Sequence, residues 1–164
     1  MEISGGSRGE PVFRCYTDGA SRGNPGPSAY AFVIVRGGKV IARESGFIGT
    51  GTNNVAEYEA VIRALDLAAE YGAGTVEIFS DSELVVRQLN GLYTVKKPHL
   101  AKLHDEVQRR VSRFRNVKFV SVSRDDPCIR MADNLCNEEL DAHTEGSCDP
   151  DRLMQGNVRE MHHI

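Results

Sequence analysis

Apolar residues recur with two different periods along this chain, and the switches between them mark out its elements. Val12–Thr17, Tyr30–Arg36 and Val40–Ile48 are rich in strand formers, and Gly37-Gly38-Lys39 lies between the last two as a hairpin turn. These three runs predict an antiparallel meander. DGASRGNPGP at 18–27, with three Gly and two Pro, reads as a tight irregular loop after the first strand. From Asn54 to Tyr71 the period lengthens: Val55, Tyr58, Val61, Ile62, Leu65 and Ala69 fall on one helical face, and Gly72 and Gly74 stop it. A short central strand at Thr75–Ser80 follows, then helices at Ser82–Leu89 and Pro98–Phe114, a strand at Val117–Val122 and a helix from Ile129 to Ala142. The order βββαβααβα predicts an α/β fold: a five-stranded mixed sheet, three antiparallel strands then parallel ones, flanked by helices.

Outside these elements the signal fades. Residues 1–10 are rich in Gly and Ser and are expected to be disordered, residues 143–164 form a loose tail, and 11–142 make one domain. Hydrophobic residues are 40% and charged residues 26%, an ordinary globular balance. No apolar window is long enough for a membrane span, and MEISGGSRGE lacks a secretory core. Cys15, Cys128, Cys136 and Cys148 are irregularly spaced, so reduced thiols in a cytoplasmic protein are expected; a monomer is the separate expectation for its assembly. The net charge of −3 changes the picture more. A nucleic-acid binder is usually basic, so metal ions and local contacts would have to offset the overall repulsion here.

Four acids stand at predicted element ends. Asp18 closes the first strand, Glu57 lies in the first turn of the first helix, Asp81 closes the fourth strand, and Asp133 lies early in the last helix. Neighbouring first and fourth strands would put Asp18 beside Asp81. Converging carboxylates repel by several kcal/mol per pair at low effective dielectric, so such a cluster calls for divalent cations. Oxygen donors without His or Cys favour magnesium or manganese, and paired ions about 4 Å apart serve in-line displacement at phosphodiesters. Each acid also has a purely structural explanation. Asn54-x-x-Glu57 reads as a capping box, Asp81 could cap the next helix, Asp133 suits a helix dipole, and Asp18 precedes a turn glycine.

The strings YTDGASRGNPGPSAYAFVI (16–34), GTNNVAEYEAVIRAL (51–65), IFSDSELVVRQLNG (78–91) and MADNLCNEEL (131–140) resemble type 1 ribonuclease H in order and spacing, from about Val12 to Ala142. The resemblance implies a ribonuclease H-like fold and an endonuclease that cuts the RNA strand of RNA–DNA hybrids, leaving 5′-phosphate and 3′-hydroxyl ends. It implies Asp18, Glu57, Asp81 and Asp133 as holders of two Mg2+ or Mn2+ ions when substrate is bound. Asp18 would bridge both ions, Glu57 and Asp81 would serve the leaving-group side, and Asp133 the nucleophilic water. Asn24, Thr52, Asn53 and Asn54 match residues that touch the hybrid, and amides, hydroxyls and a helix N-terminus suit 2′-hydroxyls and phosphates.

Departures from the family pattern gather around the cleft. Ser123 stands where many members carry a mobile His, with Arg124 next to it as a phosphate or product-release residue. Ile129 replaces an expected Asn, and Glu83 replaces a Gln that contacts RNA. The short Gly91–Leu100 segment lacks the basic protrusion of some members, so weak, salt-sensitive hybrid binding is expected. Arg109, Arg110, Arg113 and Arg115 crowd one helix end, either for its dipole or as a binding patch. His143, His162 and His163 have no expected role. A non-catalytic hybrid-binding module, or a nuclease for double-stranded RNA, are the rival readings.

Overall fold

The structure is a computed structural model that describes residues 11–148, with side chains through 143. Strands β1 (Phe13–Ser21), β2 (Gly26–Arg36) and β3 (Lys39–Gly51) form the meander; α1 (Asn53–Glu70), β4 (Thr75–Ser80), α2 (Glu83–Leu89), α3 (Pro98–Val111), β5 (Asn116–Ser121) and α4 (Pro127–Cys148) complete the chain. The sheet order is β3-β2-β1-β4-β5. β1 runs antiparallel to β2 and parallel to β4, and β5 is parallel to β4.

β2 shows why the sheet is sandwiched. Its residues Ser28–Ile34 are buried without alternation, the mark of a strand covered on both faces. Tyr30, Phe32 and Ile34 join the larger core with Phe13, Ile78, Tyr58, Leu65 and Val107, under α1, α2 and α3. Ala31 and Val33 point the other way, to Ala132 and Cys136 of α4. Ala31 is small enough for α4 to approach closely, and the Cys136 thiol donates to the carbonyl oxygens of Asp18 at 3.5 Å and Ala29 at 3.7 Å. Cys15, Cys128 and Cys136 are unpaired thiols.

The structure corrects the expected boundaries in several places. β1 does not end at Asp18; Asp18, Gly19, Ala20 and Ser21 pair with Ala31, Tyr30, Ala29 and Ser28, so the loop shrinks to 22–25. Ladder pairing outweighs the turn signal of the Asp-Gly dipeptide. The cap of α1 is Thr52, whose hydroxyl accepts from Val55 N at 3.2 Å, so Glu57 is not a capping-box residue. Ser82, not Asp81, caps α2. Asp126 Oδ1 accepts from Cys128 N at 2.8 Å and Ile129 N at 3.2 Å, which starts α4 two residues before Ile129.

α4 also continues through Cys148, past the expected end of the domain at Ala142. His143, expected to be idle, stacks on Phe47 with ring centroids 4.2 Å apart, and its Nδ1 donates to the Glu139 carbonyl at 2.9 Å. The expectations for residues 1–10 and 149–164, including His162 and His163, lie outside the described residues. No helix among the described residues is long and apolar enough to cross a membrane.

Candidate active site

The register of the sheet brings the first two acids together. Tyr16 of β1 is the partner of Phe79 of β4, and the strands run parallel, so Asp18 and Asp81 come two residues later, side by side at the same end of adjacent strands. Glu57 reaches them from α1 because position 19 is a glycine. A side chain there would collide with the backbone of Ala56 and Glu57, so the bare backbone lets α1 settle onto β1. Asp133 arrives from the opposite face on α4, one turn before the Cys136 thiol that fastens this helix to Asp18.

Asp18, Glu57 and Asp81 each offer an oxygen within 4.8 Å of the others. Asp18 and Glu57 are 6% and 9% exposed, and Asp81 is half-buried. Asp18 Oδ2 and Glu57 Oε1 are buried without a hydrogen-bond partner. Asp133 is exposed and stands beside this trio; Asn137 Nδ2 donates to its Oδ2 at 3.4 Å. Sequence reasoning placed four acids together, and the structure gathers three tightly with the fourth lining the same cleft.

Crowding shows in the acidities. Burial, then the charges of Asp81 and Asp133 and a hydrogen bond with Asp133, push Asp18 up to about 8. Burial, followed by Asp18 and Asp81, holds Glu57 well above the ordinary carboxylate range. Asp81 is raised by burial, while the nearby Arg124 guanidinium pulls it down. Two carboxyls held above their usual range, each with an orphaned buried oxygen, form a site that protons or cations must occupy. The donor set is all oxygen and the trio is compact, which fits a hard divalent cation such as Mg2+ or Mn2+.

The acids floor an open cleft of about 790 Å³, whose walls include Asn53, Asn54, Ser82, Glu83, Ser123 and Arg124. Asn24 and Thr52 lie outside that lining and work on the backbone. Asn24 Oδ1 accepts from Asn53 N at 3.1 Å, while Asn53 Oδ1 accepts from Ser21 N at 2.9 Å. The 22–25 loop is thereby tied to the N-terminus of α1, whose N–H groups form the positive end of the helix dipole. Glu83 is engaged by Arg87 at 2.8 Å, and Arg87 lies over the Tyr93 ring at 5.5 Å. Arg109 and Arg110 pair with Glu106, and Arg110 and Arg113 with Asp66, on the α1–α3 face away from this cleft. Sequence reasoning missed Gly19; its signal was an acid followed by glycine, which reads equally as a turn.

Residues 16–139 match the family described as reverse transcriptase-like. Ribonuclease HI of Halobacterium salinarum is 41% identical over 127 residues, which are 77% of this chain and 63% of that protein. A bifunctional protein of Mycobacterium tuberculosis is 39% identical over 142 residues, 84% of this chain but only 38% of that protein. The chain thus spans less than two thirds of either relative. Among solved structures, LC11 ribonuclease H1 in complex with an RNA/DNA hybrid superposes with a TM-score of 0.74 at 40% identity, covering 79% of this chain and 97% of that one.

Proposed function

Because the chain belongs to the type 1 ribonuclease H family, we propose that it hydrolyses the RNA strand of RNA–DNA hybrids with two divalent metal ions, leaving 5′-phosphate and 3′-hydroxyl ends. One observation carries the reading: Asp18 and Glu57 present buried, unpartnered oxygens to the same small space as Asp81. A structural role would have given those oxygens protein donors.

Asp18, Glu57 and Asp81 would hold the metal, with Asp133 completing the set when substrate is bound. Paired Mg2+ or Mn2+ ions supply Lewis acidity there, favouring attack by water and departure of the ribose oxygen. The chain's own groups do the rest. The α1 N-terminus at Asn53 and Asn54 receives backbone phosphate, and Asn24 holds that end in place through Asn53 N. Arg124, next to Asp81, offsets negative charge at the opposite wall and offers a phosphate contact. Ser82 and Glu83 border the minor-groove side, where hydroxyl and carboxylate oxygens accept from RNA 2′-hydroxyls. Buried, unpaired Cys15 and Cys136 suit a reducing cytoplasm.

The test is one assay with labelled hybrid, duplex RNA and single-stranded RNA, each with Mg2+ or Mn2+. Cutting confined to the hybrid, with products carrying 5′-phosphate, is the expected result. Asp18→Asn should bind hybrid but not cut it. Ordinary turnover by that variant, or cleavage of every RNA alike, would overturn the reading.

A further inference from the structure

Tyr58 follows Glu57 in α1 and is fully buried, yet its hydroxyl donates to Gln88 Oε1 at 2.6 Å. Gln88, near the end of α2, is 8% exposed. His104 of α3 adds a third contact, its Nε2 donating to the Gln88 carbonyl at 3.1 Å, with its ring edge-on to Tyr58. Three helices meet at this polar knot, and Tyr58 belongs to the same buried core as Val61, Val85, Leu89, Leu100 and Val107. A phenol and an amide buried in apolar surroundings are costly unless they bond each other, so one placement of α1 against α2 is strongly preferred.

That placement matters for the acids. α1 carries Glu57, and α2 starts immediately after Asp81 and its cap Ser82. The sheet holds both ends of α2: Ser80 Oγ accepts from Ser82 N at 3.0 Å, and Asn90 Nδ2 donates to Phe119 O at 3.1 Å. Tyr58–Gln88 is the side-chain hydrogen bond joining α1 to α2 among the described residues. Glu57 and Asp81 bring carboxylate oxygens within 4.8 Å of each other, so when ionised they repel and push α1 away from the β4–α2 junction. The buried bond opposes that separation.

We propose that Tyr58 and Gln88 are positioning residues for divalent metal: their hydrogen bond braces α1 against α2, holds the Glu57–Asp81 spacing that strand register and Gly19 create, and thereby tunes the affinity of the acid cluster for a cation. Neither residue touches the reacting atoms. The proposal rests on the metal-dependent reading above and goes beyond it by naming what tunes the metal's hold.

Mn2+ titrated calorimetrically into the full chain without nucleic acid, alongside hybrid cleavage at varied Mn2+, separates the possibilities. Tyr58→Phe keeps the ring and loses the bond; it should weaken Mn2+ binding and raise the Mn2+ needed for half-maximal cleavage by roughly 10-fold. KM for hybrid at saturating Mn2+ should stay unchanged. Gln88→Leu should do the same, and the double variant should be no worse than either single one, because both remove one bond. Ile62→Val, on the same helix but outside the knot, should lower the melting temperature and leave Mn2+ affinity alone. Tyr58→Phe that lost thermal stability with wild-type Mn2+ affinity, or Ile62→Val with an equal Mn2+ shift, would overturn the proposal while leaving the nuclease reading intact. Wild-type protein that neither bound Mn2+ nor cut hybrid would overturn both.

Discussion

Gly19 and Glu57 lie backbone against backbone, with no room for even a methyl group between them. This contact lowers α1 onto β1 and brings the Glu57 carboxyl to Asp18. Gly19→Ala should therefore force the helix away. The expected cost is ~1–3 kcal/mol of stability, the usual range for overpacking. Cleavage should fall about 100-fold, as expected when a reacting geometry is displaced by ~1 Å. Thermal melts and single-turnover assays on the same preparation check both parts.

Stability of the metal-free protein should depend on pH with an unusual sign. Asp18 holds its proton up to about 8 when folded, against 3.8 for an ordinary aspartate in the unfolded chain. The native state therefore binds more protons than the unfolded state between these values. Stability is greatest below the lower value, declines as pH rises through the window, and is lowest above it. Glu57, raised in the same direction, adds to the slope. Melting temperature in EDTA should fall from pH 5 to pH 8, and Asp18→Asn should flatten that fall. Mn2+ at pH 8 should restore the loss, since cations replace protons. A metal-free melting temperature that rose across this range would contradict the geometry.

Burial raises the Asp81 pKa and Arg124 opposes that rise, and both residues line the cleft. Arg124→Ala should weaken hybrid binding and reduce the slope of log affinity against log salt by about 1, the signature of one lost phosphate contact. Filter binding at several salt concentrations in Ca2+ measures this without turnover. An unchanged slope would make Arg124 a surface charge only.

His143 on Phe47 pins α4 to the edge strand β3, far from the acids in sequence and function. His143→Ala should cost ~1 kcal/mol, as aromatic pairs do, and leave cleavage at wild-type rates. Truncation after Ala142 should cost at least as much stability as this substitution, whereas truncation after Cys148 keeps the contact. Urea melts of the three proteins test the order.

The sequence by itself determined the elements and the chemistry's cast. Periodicity in 54–71 and in the apolar run 30–36 was strong enough to place α1 and β2, because burial on one face or two leaves a regular trace. The strings around Asp18, Glu57, Asp81 and Asp133 named the acids. Boundaries and distances were decided elsewhere. Asp-Gly at 18–19 reads as a turn locally, and only pairing with Ala31 and Tyr30 keeps it in β1. Thr52 and Asn54 are both plausible caps in one dimension; the bond to Val55 N chooses Thr52. Tyr58 and Gln88 look like ordinary helix residues until α1 and α2 pack and leave them facing each other in the core. That Asp18, Glu57 and Asp81 close up while Asp133 stands at the rim also belongs to tertiary structure. Local preference is encoded residue by residue, but a distance between β1, β4 and two helices exists only once strand register and close backbone contacts have set it.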